Sequence, residues 1–585
     1  MTQPPKFRVW APNAKEVSIA IGEHLRSAHK EPNGWHSTEL LPDGADYFIR
    51  LDGRDLPDPR SRFQPSGVSG PSRFVVDRFA WQDQSFRAPP LSAAVIYELH
   101  LGTFTREGTL AAAAHKLQYL VDLGVTHVEL MPLATYPGRW GWGYDGVALW
   151  APHPAYGTPE DVKRFVASCH AHGLAVLLDV VYNHLGPDGN YLGEFGPFFT
   201  KRYATPWGAA VNLDDAGSDE VRQFIIENAC MWLREYHFDG LRLDAVHALF
   251  DESARHLLQE LAEAVHALQA ELGKPLCVIA ESDQNDPRVT RAPELGGYGL
   301  DAQWSDDLHH ALHSALTGET SGYYADFGRI EHIARALTDG FVYAGHYSDF
   351  RQRRHGQPLG NASGHRLLGY LQNHDQIGNR ARGERIGHMV SEGRARIGAA
   401  LVLLSPYVPM LFQGEEWGAS APFQYFTDHQ NPELADAVRR GRREEFAAFG
   451  WDPKEVPDPQ AESTFRASQL DWTELNRSPF KERLAFYRAL LELRRSTPDL
   501  LDGRRDRVQV SFDEDARWLR MQRGSVTLLA NLGERRLELP RPEGDLRITS
   551  PERSEQAGAR ARSPFVLEPE SCYIFVAGAL RAADA

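Results

Sequence analysis

Cysteine is scarce, with four residues in 585, at Cys169, Cys230, Cys277 and Cys572. They are too scattered for metal-ligand spacing or a disulfide framework, and three stand in apolar segments where a buried free thiol is the ordinary expectation. A reducing compartment, the cytoplasm, is therefore expected. Long hydrophobic runs are missing: no window holds eighteen consecutive apolar residues. The opening MTQPPKFRVW has no basic stretch leading into an apolar core and a small-residue cleavage site, so neither a spanning helix nor a secretory leader is expected. Positive charge is also short. Lys and Arg total 63 against 79 Asp and Glu, a net charge of −16, which disfavours DNA or RNA as partner and favours a neutral one. There is no H-E-x-x-H pair, no compact cluster of His and carboxylates, and no Gly-rich nucleotide fingerprint between strand and helix. Neither a metal nor another cofactor is expected.

What is present is a packed, aromatic-rich chain: 42% hydrophobic residues, with 13 Trp, 20 Tyr and 28 Phe. Its length calls for a barrel-sized unit with smaller modules at the ends. Residues 1–90 read as short strands between turns (FRVW, VSIAI, DYFIRL), an all-β module. From Val95 short apolar runs alternate with helical stretches: VIYELH (95–100), HVELMPL (127–133), AVLLDVVYNH (175–184), GLRLDAV (240–246), LCVIAES (276–282), LLGYLQNHD (367–375) and VPMLFQGEE (408–416), with a sixth, weakly marked strand near Asp301–Trp304. Parallel strands covered by helices, seven or eight in number, predict a closed (β/α)8 TIM barrel over 91–500. The segment 185–216, rich in Gly, Pro and rings, reads as an irregular loop subdomain beside the site. Helical texture at Lys481–Leu493 precedes renewed alternation, which predicts a C-terminal β-sandwich domain over 501–585 whose last residues, ALRAADA, fray.

Charged residues interrupt four of the apolar runs near their C-terminal ends: Asp179 with Asn183 and His184, Arg242 with Asp244, Glu281, and His374 with Asp375. In a barrel those ends converge on one pocket. Any one such acid alone is more often a solvated loop residue; four together are not. Cleavage of a glycosidic bond through a covalent intermediate needs one carboxylate to attack and a second, protonated at rest, to assist departure. Asp244 and Glu281 suit those tasks. Arg242, two residues from Asp244, points the same way in a strand and can hold it ionised, while apolar CVIA before Glu281 favours a raised pKa there. Asp375 is left to grip substrate hydroxyls, and His184 and His374 to bind them, with structural hydrogen bonding or metal ligation as their alternative.

The stretches DVVYNH (179–184), GLRLDAVHAL (240–249), IAES (279–282) and LQNHDQ (371–376) resemble the four signature regions of the alpha-amylase family, in their usual order. The resemblance covers about 90–500. It implies Asp244 as nucleophile, Glu281 as acid and base, Asp375 as transition-state stabiliser and Asp179 as the brace of Arg242. It also implies flanking modules of N-terminal β-sandwich and C-terminal β-domain type, and no cofactor. Further runs, GRWGWGYDGVALWAPHPAYG (138–157), HLGPDGNYL (184–192), TPWGAAVNLDD from Thr205 and FQGEEWGASAPFQYFTDH from Phe412, are similar to the branch of that family that releases trehalose from the end of a maltooligosyl chain. The resemblance thus implies maltooligosyl trehalose and related α-glucans as substrates. The pathway partner is a synthase that makes the trehalose end, without a stable complex. A branching or debranching enzyme and a general maltooligosaccharide hydrolase of the same family are the alternatives, and a non-enzymatic carbohydrate-binding protein is the alternative from another class. Where typical alpha-amylases carry Lys and His after the nucleophile, this chain has His247 and Ala248, a difference on the leaving-group side. Tyr144 is the candidate ring for the reacting sugar. Trp140 and Trp142 are candidates for stacking or for packing, and Phe423, Tyr425, Asp428 and His429 for closing the reducing side. Asn212 either lines the cleft or returns the loop to the scaffold.

Overall fold

The computed structural model describes residues 6–448, 452, 455–551 and 564–578; the C-terminal ALRAADA lies outside them. All four cysteines are free thiols. At the N-terminus a three-stranded sheet, Lys6–Trp10, Trp35–Glu39 and His29–Lys30, accompanies a five-stranded antiparallel sheet built on Val17–Ile21 and Asp46–Leu51. In DYFIRL the residues Tyr47, Ile49 and Leu51 are buried and alternate with more open positions, the two-residue period of a strand with one face on a core.

Eight parallel strands close into a barrel: β1 (Ile96–Leu99), β2 (His127–Leu130), β3 (Ala175–Val180), β4 (Gly240–Leu243), β5 (Cys277–Ala280), β6 (Ala302–Trp304), β7 (Leu367–Tyr370) and β8 (Val408–Phe412), with β8 pairing back onto β1. Nearly every strand residue is buried, because side chains facing the axis and side chains facing the helices are both covered. The sixth strand is the weakest signal in sequence because it is three residues long. Among the covering helices are α1 (Pro159–Ala171), started by a Thr158–Asp161 capping box, α2 (Ser218–Glu235), α3 (Leu257–Leu272), α4 (Asp306–Thr317), α5 (Glu392–Leu403) and α6 (Phe480–Ser496). Ile96, Leu177, Ile279, Leu368 and Met410 form an apolar plug inside the barrel, and the charged residues Asp179, Arg242, Asp244 and Glu281 lie beyond it toward the C-terminal ends of the strands.

The segment 185–216 is more ordered than its composition suggests. It contains a helical turn, Leu192–Phe195, and a hairpin of Phe199–Thr205 with Gly208–Val211. Two of its rings, Phe195 and Phe198, are buried as anchors: Trp10 of the N-terminal module meets Phe198 edge-on at 5.4 Å. Asn212 donates to the carbonyls of Pro197 and Ala216, closing the loop on itself. Beyond α6 a five-stranded antiparallel sheet comprises β9 (Val508–Asp513), β10 (Trp518–Arg523), β11 (Val526–Asn531), β12 (Asp545–Ser550) and β13 (Ser571–Val576) in the order β9-β10-β11-β13-β12.

Candidate active site

Arg242, with 0% of its surface exposed, is the hub on which the separated motifs meet. Register explains why. Asp179 on β3 pairs with Arg242 on β4, and Arg242 with Ile279 on β5. Asp244 and Glu281 follow one step beyond, their amides bonded to the carbonyls of Val180 and Leu243. Arg242 Nη1 donates to Asp179 Oδ2 at 2.7 Å and to Asp244 Oδ1 at 3.0 Å. Its Nη2 lies 2.8 Å from Glu281 Oε2, an ionic contact without hydrogen-bond alignment. The guanidinium carbon sits 4.1 Å above the Trp304 ring, so the cation is held by charge and by a π face.

Each carboxylate has a second support. Asn183 Nδ2 donates to Asp244 Oδ2 at 3.1 Å. Ala245, in the left-handed region at φ 39°, turns its amide onto Glu281 Oε2 at 2.7 Å. A backbone strain of about 1–3 kcal/mol at a non-glycine residue is thus located where it bridges the two acids. Asp375 stands in the first turn of a short helix capped by Asn373, and its Oδ1 accepts from Asn379 Nδ2 at 2.6 Å. Burial raises the pKa of Glu281, reinforced by the Asp244 charge and opposed by Arg242. Burial also lifts Asp244, against the pull of Arg242, and Asp375, against the pull of His374. Arg242 therefore moderates the Asp244 shift rather than reversing it.

His374 is fixed by an acid that sequence reading left unnamed. Glu98 on β1 accepts from its backbone amide at 3.1 Å and pairs with its Nδ1. Burial opposes charge on this imidazole, yet Glu98 outweighs it and raises the pKa, leaving Nε2 as the remaining ring donor. Tyr144 stacks on His374 with centroids 5.0 Å apart and donates to Asp179 Oδ2 at 2.6 Å. The two ring nitrogens of His184 meet the Tyr144 carbonyl at 3.0 Å and Asn183 Oδ1 at 2.9 Å. Trp207, from the tip of the loop hairpin and 46% exposed, lies flat on the His184 ring at 4.4 Å.

Other predicted residues stand outside this hub. Trp140 is buried and stacked with Phe465 at 5.8 Å. Trp142 packs on the buried Phe423 at 5.3 Å and on Tyr425 at 5.2 Å, and its edge approaches His374 at 5.6 Å. Asp428 accepts from the Arg139 amide at 2.8 Å, and Gly138 permits this approach: a Cβ there would lie 2.1 Å from the Asp428 carbonyl oxygen. His429 is 3.8 Å from Asp145, and the exposed His247 is 3.9 Å from Asp283. Besides Glu98, the structure adds Asp306, which opens α4, accepts from the Tyr370 hydroxyl, and has its pKa pushed up to about 8 by burial and by Glu281, Asp283 and Asp375. For Glu98 a sequence signal existed, an acid inside the apolar run VIYELH; Asp306 looks like any helix-opening acid.

A pocket of paired carboxylates on one buried arginine, at the C-terminal mouth of a parallel barrel, suits two-carboxylate glycoside chemistry. Residues 62–197 match the family described as alpha amylase, catalytic domain, and residues 503–574 a domain of unknown function, DUF3459. The chain is 47% identical over 572 residues to a malto-oligosyltrehalose trehalohydrolase of Rhizobium sp. (strain M-11), covering 96% of each chain. It is 52% identical over 502 residues to the enzyme of that name from Arthrobacter ramosus, covering 84% of this chain and 87% of the relative. The chain belongs to the malto-oligosyltrehalose trehalohydrolase family. This trehalohydrolase-family chain is therefore a glycosidase of the alpha-amylase class. Its structure superposes with a TM-score of 0.89 on the crystal structure of a putative alpha amylase from Salmonella typhimurium, 38% identical, over 98% of this chain and 97% of that one.

Proposed function

We propose that this protein hydrolyses the α-1,4 bond adjoining the terminal trehalose of maltooligosyl trehalose, with retention at the anomeric carbon, releasing trehalose and a maltooligosaccharide. The observation that carries the chemistry is the sharing of Arg242 by Asp244 at 3.0 Å and Glu281 at 2.8 Å. An Asp244 oxygen attacks the anomeric carbon while the Glu281 proton passes to the departing glycosidic oxygen, giving a glycosyl ester. Glu281, now a carboxylate, takes a proton from water, whose oxygen displaces Asp244 and restores both groups. Asp375 and His374 hold hydroxyls of the reacting ring and Tyr144 lies against its face, while His184, with both ring nitrogens engaged, keeps the Tyr144 backbone and Asn183 in place. Asp179 keeps Arg242 aimed. Trp140, Trp142, His247 and Asp428 shape the surrounding loops. The choice of substrate is supported by the relatives that span nearly the whole chain, and a synthase that builds the trehalose end is the pathway step supplying it, with no stable complex required.

Product analysis over time on maltotriosyl trehalose and maltopentaose, at equal concentration, tests this reading. Free trehalose and maltotriose should appear fast, with maltopentaose attacked far more slowly. Equal attack on both would make the protein a general maltooligosaccharide hydrolase, and inactivity on both would turn attention to branched glucans.

A further inference from the structure

Glu129 is an acid inside the apolar run of β2. Parallel register pairs it with Glu98 on β1 and with Leu177 on β3. Glu98 faces the barrel axis, since it reaches His374, and register partners share a face, so Glu129 faces the axis too. Asp179 is two residues beyond Leu177 on that face, which sets the Asp179–Arg242 pair one step above Glu129. Glu129 is 0% exposed, and neither of its oxygens meets a donor. Asp179 Oδ1 and Arg242 Nε are also among the buried atoms that lack a hydrogen-bond partner in the protein.

The charged and titratable groups around Glu129 are Glu98 on β1, Asp179 on β3, Arg242 on β4, the Cys277 thiol on β5, which burial keeps neutral, and, behind Glu98, His374 after β7. Burial and the two neighbouring acids all favour the neutral form, with Arg242 alone opposing, and its pKa stands well above the ordinary carboxyl value. A neutral carboxyl has a proton to donate, Asp179 Oδ1 needs a donor, and the Arg242 Nε–H needs an acceptor. One molecule able to accept from two of these groups and donate to the third is water, and buried waters are found where two to four polar groups converge.

We propose that Glu129, Asp179 Oδ1 and Arg242 Nε frame a buried water site directly beneath the two carboxylates, with Glu129 donating into it as a positioning residue for Arg242. The arginine is then secured at both ends, by the acids at its Nη atoms and by the water at Nε. The proposal rests on the glycosidase reading only for its kinetic readout.

The test uses the full-length protein as wild type, Glu129→Gln and Glu129→Leu. Infrared difference spectra at neutral pH should show the carbonyl stretch of a buried protonated carboxylic acid that disappears in Glu129→Gln. An atomic-resolution crystal structure should show water within hydrogen-bond distance of Glu129 and Asp179 Oδ1. Glu129→Gln, which keeps a donor, should retain kcat and the pH profile. Glu129→Leu should lower kcat by about tenfold to a hundredfold with little change in KM, and displace the limbs of its pH profile. A missing infrared band, a dry site, a Glu129→Leu enzyme with wild-type kcat and profile, or Glu129→Gln as impaired as Glu129→Leu would each overturn the proposal. Should Glu129→Leu not fold, the spectrum and the crystal structure decide. A wild-type protein inactive on both oligosaccharides would instead refute the substrate reading while leaving band and water in place.

Discussion

Arg242 serves Asp179, Asp244 and Glu281 with one guanidinium, a task that depends on a planar fork which lysine does not have. Arg242→Lys should therefore lower kcat by roughly 100-fold, about 2.7 kcal/mol of transition-state stabilisation, with a smaller effect on KM; an unchanged kcat would show that the acids do not depend on the fork. The pH profile belongs to the same residues. Activity needs Asp244 ionised and Glu281 protonated, and burial raises both pKa values. Both limbs should accordingly stand above the range of free carboxyls, the alkaline one belonging to Glu281. Glu281→Gln should cost about 10²–10⁴-fold on the oligosaccharide and abolish the alkaline limb on an aryl glucoside whose leaving group needs no acid. An alkaline limb that survives the substitution would assign it elsewhere. The four signature stretches made these side chains legible, since each acid interrupts an apolar strand. Ala245 and Trp304 were not, because a backbone amide and a supporting ring act through position.

At the scale of single elements, the end of β8 holds two adjacent buried acids outside the catalytic pocket. Glu416 accepts from the Tyr97 hydroxyl at 3.0 Å and from the Tyr119 hydroxyl at 2.9 Å, and Glu415 from that of Tyr487, on α6, at 3.1 Å. Burial raises Glu415 to about 8 and Glu416 to about 7, from an ordinary 4.5. The folded chain thus binds more protons than the unfolded one above pH 4.5, and stability falls as pH rises from there until each raised value is passed, by about 1.4 kcal/mol per pH unit per group. Glu416→Gln removes one of these losses. Its melting temperature relative to wild type should rise between pH 5 and pH 8; a difference that stays constant would show that Glu416 is not protonated in the fold. The barrel strands themselves were legible as apolar runs between helices. The loop hairpin of 199–211 was not, because its pairing depends on anchors such as Phe198 that find Trp10 only in the folded chain.

Across the whole molecule, the segment joining the N-terminal module to the barrel is fastened by buried charge. His170 on α1 bridges Asp83 at 2.8 Å and Asp239 at 2.9 Å, while His237 reaches Asp83 at 2.7 Å. Trp81 and Phe86 lie flat on the two imidazoles at 3.7 and 4.1 Å. Burial opposes charge on His170, but the two carboxylates raise its pKa above the ordinary 6.5. Burial would raise Asp83, but hydrogen bonds from His170 and His237 hold it well below the ordinary 3.8. The His170 contribution is complete below pH 6.5 and is lost as pH rises through its folded value; that of Asp83 is complete above pH 3.8 and is lost as pH falls through its folded value. Between those limits the clasp is strongest. Asp83→Asn should speed limited proteolysis within 74–90 at pH 6 and lower the melting temperature by several degrees, whereas unchanged cleavage would mean that the aromatic contacts suffice. At the other end, Arg523 on β10 donates to the carbonyls of Leu404 and Ser405, and Arg517 to that of Ala315, tying the C-terminal sheet to the barrel.

By itself the sequence determined the strand and helix alternation, and the acids set into it, because hydrophobic period and residue type are local properties of the chain. Only the tertiary structure decided which of those acids share a cation, which carry a proton and which aromatic rings are anchors. Closure of the barrel sets the distances between strands, and burial sets the cost of charge; neither quantity exists until residues hundreds of positions apart are brought together.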